Sequence, residues 1–126
     1  VIQFYVENNK YLSCNMYQRS SDMFLGSPFN QSSYSLLVYI LCEIINNSND
    51  YTGPKLEPGT LYISLGDIHI YEDHLQAVNE QLKRIPFEYP KLRFNRPITS
   101  LDDINWDDII LENYKCYDTI KAPMIA

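Results

Sequence analysis

The chain has 126 residues, a net charge of −6 and a hydrophobic fraction of 45%. This length allows one domain at most, and the acidic balance argues against a general nucleic-acid-binding surface, so we expect no DNA partner. Three widely spaced cysteines without a Cys/His cluster fit reduced thiols in a cytoplasmic protein with no metal, and no apolar run is long enough to span a bilayer.

The first elements form a predicted β-hairpin. Residues 1–6 are mostly apolar or aromatic and indicate a strand, and residues 11–19 indicate a second one. The polar residues 7–10 between them predict a turn, because asparagine tolerates left-handed backbone conformations. Cys14 lies on the apolar face of the second strand, and we expect it in the core.

A long helix is predicted after Pro28. Asn30 is placed to cap it, with Ser32 and Ser33 in the first turn. Cys42 is expected to pack inside rather than react. The helix is apolar most of the way round, so it should be largely buried. Its apolar residues recur at helical spacing: Leu36, Leu37, Ile40, Leu41, Ile44 and Ile45.

Residues 46–59 contain several breakers, among them Pro58 and Gly59, and predict a surface loop. Residues 60–65 then predict a strand. A helix is predicted over residues 72–84, because its first turn is acidic and its last is basic.

In the predicted helix over residues 72–84, Leu75, Val78 and Leu82 are expected to form a core stripe, and His74 to be a solvated surface residue. Two further strands are predicted, at residues 91–95 and 109–114. Between them, Ser100 and Asp103 suggest a capped helical turn over residues 101–104. The mixed order of helices and strands predicts an α+β domain with helices packed on one sheet.

Residues 18–30 concentrate the polar groups of the first half. Arg19 carries a planar fork of donors suited to phosphate, and Ser20 and Ser21 offer hydroxyls beside it. Gly26 allows close approach, and the Asn30 amide has the donor and acceptor needed to bind a pyrimidine edge. The same residues are also compatible with a simple polar turn between a strand and a helix.

The order of these residues resembles the thymidylate synthase signature Q-R-S-x-D-x-x-L-G-x-P-F-N, with every fixed position present in residues 18–30. Residues 66–71 resemble the family's G-D-x-H-x-Y segment, and residues 120–126 resemble its C-terminal tail. The resemblance implies that residues 1–126 are the C-terminal portion of a single thymidylate synthase-like domain. That domain is an α+β fold with a mixed β-sheet and packed helices. Residues 46–59 would be an insertion.

The resemblance implies reductive methylation of dUMP to dTMP with 5,10-methylene-tetrahydrofolate as co-substrate, giving dihydrofolate. Arg19, Asp22 and Asn30 would be the catalytic residues, converging with His69 and Tyr71 on one nucleotide. His69 and Tyr71 are two apart in an extended segment and so share a face. The implied substrate-binding residues are Arg19, Ser20, Ser21, Asp22, Asn30, His69, Ile70 and Tyr71. The implied cofactor-binding residues are Asp22, Leu25, Gly26, Phe29, Ile125 and Ala126.

The nucleophilic cysteine of the family would fall a few residues ahead of Val1. We therefore expect this chain alone to be inactive without the N-terminal half. The resemblance also implies that the complete protein is a homodimer. A fused dihydrofolate reductase, as in some protozoa, is an open question. Two alternatives also stay open: a non-catalytic nucleotide-binding or dimer-forming fragment, and a deoxynucleotide hydroxymethylase. The second is disfavoured by Asn30, since hydroxymethylases for cytosine nucleotides use an aspartate there.

Overall fold

A three-stranded mixed sheet lies at the centre of the fold, in the order β1-β2-β3. The computed structural model describes residues 1–125. The strands are β1 (Ile2–Glu7), β2 (Tyr11–Asp22) and β3 (Glu57–His69). β1 runs antiparallel to β2, whereas β3 runs parallel to it. The prediction of an α+β fold with a mixed sheet is confirmed.

The turn between β1 and β2 is built on two left-handed asparagines. Asn8 has a φ of 52° and Asn9 a φ of 53°. Asparagine reaches this region at lower cost than most residues, since its short polar side chain can bond locally. The predicted hairpin is therefore confirmed, and it sets the antiparallel register of β1 on β2.

Helix α1 (Gly26–Asn47) is the crossover between the parallel strands β2 and β3, and it packs on both. The core between helix and sheet consists of Leu12, Cys14, Val38, Cys42 and Leu56. Both Cys14 and Cys42 are buried, as predicted. Burial raises the pKa of the Cys14 thiol, and it raises that of Cys42 to about 11.

The predicted helix cap at Asn30 is wrong. Helix α1 starts at Gly26, and the turn before it is closed by Asp22, whose Oδ1 accepts from the backbone N–H of Phe24 at 3.0 Å and Leu25 at 3.4 Å. Pro28 fits inside the first turn, because the N–H that it lacks has no partner there. Asn30 lies further along the helix, half-buried.

The strand that follows the crossover is longer than predicted. β3 begins at Glu57 and includes Pro58 and Gly59, which we expected to lie in a loop. The register against β2 shifts between Leu12 and Cys14, and the Ser13 hydroxyl accepts from Thr60 N–H at 2.9 Å. This irregularity supplies a side-chain partner where the regular ladder is broken, so the two breakers are tolerated.

The side-chain amide of Asn46 bonds to the backbone of Leu56 and so joins the two ends of the connection from α1 to β3. Asn46 Nδ2 donates to the Leu56 carbonyl and Leu56 N–H donates to Asn46 Oδ1, both at 2.8 Å. The polar residues between them are mostly exposed. The insertion at residues 46–59 relative to the family stays a prediction.

A 3₁₀ turn (Glu72–His74) leads into helix α2 (Leu75–Leu82). The predicted core stripe is wrong here: Leu75 is 51% exposed and Leu82 is 77% exposed. The buried residues of this segment are His74 and Ala77, so the prediction of a solvated His74 is also wrong.

The last two strands form a separate antiparallel ribbon, so the expected single sheet is in fact two sheets. β4 (Lys91–Phe94) pairs with β5 (Ile109–Glu112). The predicted turn after residue 100 is present, with the Ser100 hydroxyl accepting from Asp102 N–H at 3.2 Å. No helix within residues 1–125 is long and apolar enough to cross a membrane.

Candidate functional site

Parallel pairing of β2 and β3 brings the two signature segments side by side. The register places Ser20 opposite Asp67 and Asp22 opposite His69. At the strand ends, Met23 N–H donates to the His69 carbonyl at 3.0 Å. Segments that are far apart in the sequence thereby lie side by side at the C-terminal ends of β2 and β3, where β2 leads into α1.

The two faces of this strand pair carry different groups. Since side chains alternate along a strand, Ser20 and Asp22 share the face on which Cys14 contacts α1, and Arg19 and Ser21 share the opposite face. Ser21 is 1% exposed, and its hydroxyl lies 3.9 Å from Met23 Sδ. The sharing of one phosphate by the two serine hydroxyls stays a prediction.

Arg19 is exposed and uncommitted. No hydrogen bond or salt bridge joins its side chain to another group within residues 1–125. A guanidinium offers five donors, which here have no protein acceptor in the described part of the chain. Arg19 can therefore accept an external anion without first breaking an ion pair.

Asp22 organises the turn between β2 and α1. One carboxylate oxygen accepts the two backbone N–H groups described above, and its side chain is 21% exposed. The buried ring of His74 lies behind it, with Nδ1 3.9 Å from Asp22 Oδ1. Asp22 is thus fixed by the backbone on one side while part of its carboxylate remains open to solvent.

Aromatic rings line up next to Asp22. His69 and Tyr71 make an edge contact with centroids 5.1 Å apart, which agrees with the prediction that they share a face. Tyr71 and Phe24 each lie 5.5 Å from the ring of His74. Both His69 and Tyr71 are half-buried, with polar tips on apolar bodies, whereas Ile70 between them is 45% exposed.

His74 is the residue of this region that the sequence did not reveal. It is completely buried, and its Nε2 lies 2.7 Å from the Pro123 carbonyl oxygen, 49 residues further along the chain. This contact joins the Pro123 backbone to the region around Asp22. Ile125 is half-buried in this segment. The predicted contact of Ala126 lies outside the described residues.

A cavity of about 660 Å³ opens beside the start of α1. Its wall includes Leu25 and Phe29, both predicted on the cofactor side, and Phe29 is 74% exposed. The opposite wall consists of residues 84–87 and 114–120. Arg19, Asn30 and His69 do not line this cavity, so their convergence on one nucleotide stays a prediction.

Gly26 stands next to the cavity wall. A Cβ added there would lie 3.5 Å from Asp22 Cβ, which is an ordinary contact. The protein's own packing therefore does not require glycine at this position, and a need for it would have to come from a ligand. Gly66 differs, since a Cβ there would come within 2.6 Å of the Arg19 carbonyl oxygen.

Neither buried cysteine has the properties of a nucleophile. Cys14 and Cys42 are buried with raised pKa values, which disfavours the thiolate. Cys116 is exposed on the far wall of the cavity. In the part of the chain that the structure describes, no three His, Cys, Asp or Glu side chains are grouped to hold a metal ion.

Comparisons with known proteins match the whole chain. The family model for thymidylate synthase matches residues 1–126. The chain is 48% identical over 122 residues to thymidylate synthases of Herpesvirus ateles and Saimiriine herpesvirus 2, with 97% of this chain covered. It is 45% identical over 120 residues to that of Mycoplasma mobile, with 95% covered. The alignments cover 39%, 38% and 38% of these relatives, so the chain spans about two fifths of their length.

Proposed function

Because the chain belongs to the thymidylate synthase family, we propose that it supplies the nucleotide- and folate-binding part of an enzyme that converts dUMP to dTMP. The observation that carries the proposal is the parallel register that sets Ser20 beside Asp67 and Asp22 beside His69. This register brings both signature segments together at the C-terminal ends of β2 and β3. Residues 1–126 are, in this proposal, the C-terminal portion of a single domain.

The nucleotide contacts divide by chemistry. Arg19 binds the phosphate, supported by its exposure and by the lack of a competing carboxylate within residues 1–125. Ser20 donates its hydroxyl to the same group, and the long Arg19 side chain, which starts on the opposite face of β2, reaches round the strand to share it. His69 and Tyr71, whose rings are in contact, reach the 3′-hydroxyl of the deoxyribose. The backbone of Ser21 and Asp22 meets the base, beside Ile70.

Asn30 is assigned to the pyrimidine. Its carboxamide matches the O4 acceptor and N3 donor of uracil, and it stabilises the charge that develops at O4 when the ring is attacked at C6. Cytosine presents a different pattern and would leave polar groups unpaired. Arg19, Asp22 and Asn30 therefore remain our catalytic assignments.

The cofactor side fits a flat ring system next to a carboxylate. Leu25 and the exposed ring of Phe29 give apolar cavity wall. The partly open carboxylate of Asp22, which precedes this wall in the chain but does not line the cavity, is assigned to the folate ring. Gly26 leaves room for close approach. 5,10-Methylene-tetrahydrofolate supplies the one-carbon unit and the hydride, and leaves as dihydrofolate. Ile125 and Ala126 close over it and exclude water.

The nucleophile is proposed to come from outside this chain. The two buried cysteines have raised pKa values, and Cys14 packs in the core, so neither is suited to add to C6 of uracil. A homodimeric complete protein in the cytoplasm is part of the same proposal. Whether a dihydrofolate reductase is fused to it stays open.

The decisive experiment is covalent trapping with 5-fluoro-dUMP and 5,10-methylene-tetrahydrofolate, read by intact mass. We expect no adduct on residues 1–126 alone, and one adduct on the complete polypeptide that carries them. An adduct mapped to Cys14 would overturn our assignment of that residue. Failure of the complete polypeptide to form an adduct, with dUMP still bound, would favour the non-catalytic binding alternative.

Asn30→Asp in the complete polypeptide distinguishes the proposed dUMP enzyme from the hydroxymethylase alternative. An aspartate suits the edge of cytosine, so we expect the ratio of kcat/KM for dUMP to that for dCMP to fall by about 100-fold or more. Asn30→Gln serves as a control that keeps the amide but displaces it, and should weaken both substrates. An unchanged ratio in Asn30→Asp would remove Asn30 from base recognition.

A further inference from the structure

His74 lies between two parts of the chain that the proposed function places at the folate. On one side is the turn of Asp22, and on the other is the segment 121–125. The ring is completely buried between Phe24 and Tyr71. A polar ring this deeply buried is costly unless its nitrogens find partners.

The tautomer at Nε2 follows from its neighbour. The Pro123 carbonyl oxygen can only accept, and the 2.7 Å distance is that of a good hydrogen bond. Nε2 must therefore carry the proton and donate it. This bond holds the backbone immediately before Met124 and Ile125, in the segment proposed to cover the cofactor.

The other nitrogen is not satisfied. His74 Nδ1 is a buried polar atom without a hydrogen-bond partner, and the nearest acidic group is Asp22 Oδ1 at 3.9 Å. This oxygen is already engaged by two backbone N–H groups. The ring therefore lies next to the Asp22 carboxylate without a direct hydrogen bond to it.

We propose that His74 is a positioning residue that fastens the segment 121–125 to the Asp22 turn, so that the cofactor-covering segment and the cofactor-binding carboxylate are set by one ring. The consequence for cofactor binding rests on the proposed function of Asp22, whereas the fastening itself does not. His74 does not touch the reacting atoms. It acts through the Pro123 carbonyl on one side and next to the Asp22 carboxylate on the other.

The test compares His74→Phe with His74→Gln in the complete polypeptide. Phenylalanine keeps the aromatic packing but cannot donate to Pro123, whereas the glutamine side-chain amide can. With phenylalanine we expect conformational exchange of the backbone at residues 124 and 125, measured by NMR relaxation dispersion, to accelerate about tenfold in the absence of ligand. We also expect KM for 5,10-methylene-tetrahydrofolate to rise about tenfold with KM for dUMP unchanged. Glutamine should restore both.

Tyr51→Phe is the matched control. It also removes a side-chain hydrogen bond to a proline carbonyl, since the Tyr51 hydroxyl donates to the Pro54 carbonyl at 2.9 Å. This bond lies far from the site, so the variant should leave exchange at residues 124 and 125 unchanged. If His74→Phe does not fold, His74→Asn replaces it, because asparagine is too short to reach Pro123 and should also speed exchange.

The inference would be overturned if residues 124 and 125 exchanged at the same rate in the wild type and in His74→Phe, or in His74→Asn where that replaces it. It would also be overturned if His74→Gln exchanged as fast as the variant that cannot reach Pro123. The exchange measurement needs no catalysis. A polypeptide that makes no dTMP but still shows the glutamine rescue would therefore refute the proposed function and leave the fastening role of His74 in place.

Discussion

Two arginines show how differently the two sheets use charge. Arg96, next to the β4–β5 ribbon, is held by Asp108 at 2.7 Å and by Asp103 at 2.8 Å, and it donates to backbone carbonyls as well. Arg19, on β2, has no such partner among residues 1–125. The same side chain is a structural clamp in one place and an open donor in the other.

The contrast extends to the neighbours of each arginine. In the ribbon, Arg93 pairs with Glu112, and Asn105 and Asp108 cap each other in a reciprocal box. At the β2–β3 edge, His74 Nδ1 is unpartnered and the Asp22 carboxylate is partly open. The ribbon uses its polar groups to pair with one another, whereas, within the described residues, Arg19 and the open side of the Asp22 carboxylate remain free to meet a ligand.

The largest effect that would test this comparison is expected at Arg19. In the complete polypeptide, Arg19→Ala should weaken dUMP binding about 100-fold, because a charge-assisted hydrogen bond to phosphate is lost. The midpoint of unfolding should not change, since Arg19 has no side-chain partner within residues 1–125 to lose. Calorimetric titration and thermal unfolding measure the two quantities.

Arg96→Ala is the matched variant and should show the reverse pattern. It leaves Asp108 without its cation, so the midpoint of unfolding should fall while affinity for dUMP stays the same. If both variants weakened dUMP binding equally, or if Arg19→Ala were the less stable of the two, the division between clamp and open donor would be wrong.

An intermediate effect is expected at Gly66. In Gly66→Ala, the new Cβ would come within 2.6 Å of the Arg19 carbonyl, so β2 and β3 must move apart. We expect a loss of about 1–3 kcal/mol in the free energy of unfolding by urea, the usual cost of overpacking. Affinity for dUMP should fall with it, because the register that assembles the site is disturbed.

Gly26→Ala provides the comparison for Gly66. The nearest side-chain contact would be 3.5 Å away, and alanine favours the helix that starts at this residue. Its stability should therefore be unchanged or slightly higher. If Gly26→Ala were destabilised as much as Gly66→Ala, the close approach of β2 and β3 at Gly66 would not be the cause of the loss.

The smallest effect concerns pH. The Arg96 guanidinium, by hydrogen bonding, holds the pKa of Asp108 below its usual value of 3.8. A lowered folded-state pKa gives stability that is complete above the unfolded value and is lost as the pH falls through the folded value. The wild type should therefore exceed Asp108→Asn in stability at pH 5, and the gap should close toward pH 2 in urea unfolding. A gap that stays constant over this range would show that the charge on Asp108 is not what stabilises the ribbon.

Local signals in the sequence were sufficient where the partners are local. The β1–β2 hairpin follows from two asparagines with positive φ between apolar strands, and the burial of Cys14 and Cys42 follows from their place on apolar faces. The membership of residues 18–30 and 66–71 in one family pattern was also visible. The register between these two segments was not visible in the sequence, because strand pairing depends on the crossover.

Most errors arose where a distant group decides the outcome, whereas the start of α1 was misplaced because a nearby carboxylate was overlooked. The start of α1 is set by Asp22 rather than by Asn30, and β3 tolerates Pro58 because the Ser13 hydroxyl serves Thr60 across the strand pair. The burial of His74 depends on Pro123, and no pattern around residue 74 indicates that carbonyl. Periodicity alone assigned Leu75 and Leu82 to the core, but no described element covers that side of α2 strongly enough to bury them.

The parallel arrangement of β2 and β3 also has a kinetic consequence. A parallel pair forms only after the intervening crossover has been laid down, so its contacts join residues far apart in the chain and carry a high entropic cost of closure. During synthesis, Arg19 and Asp22 emerge well before His69 and Tyr71. The nascent chain must therefore pass through a stage at which Arg19 is already exposed but the paired strand ends that we propose as the nucleotide site do not yet exist.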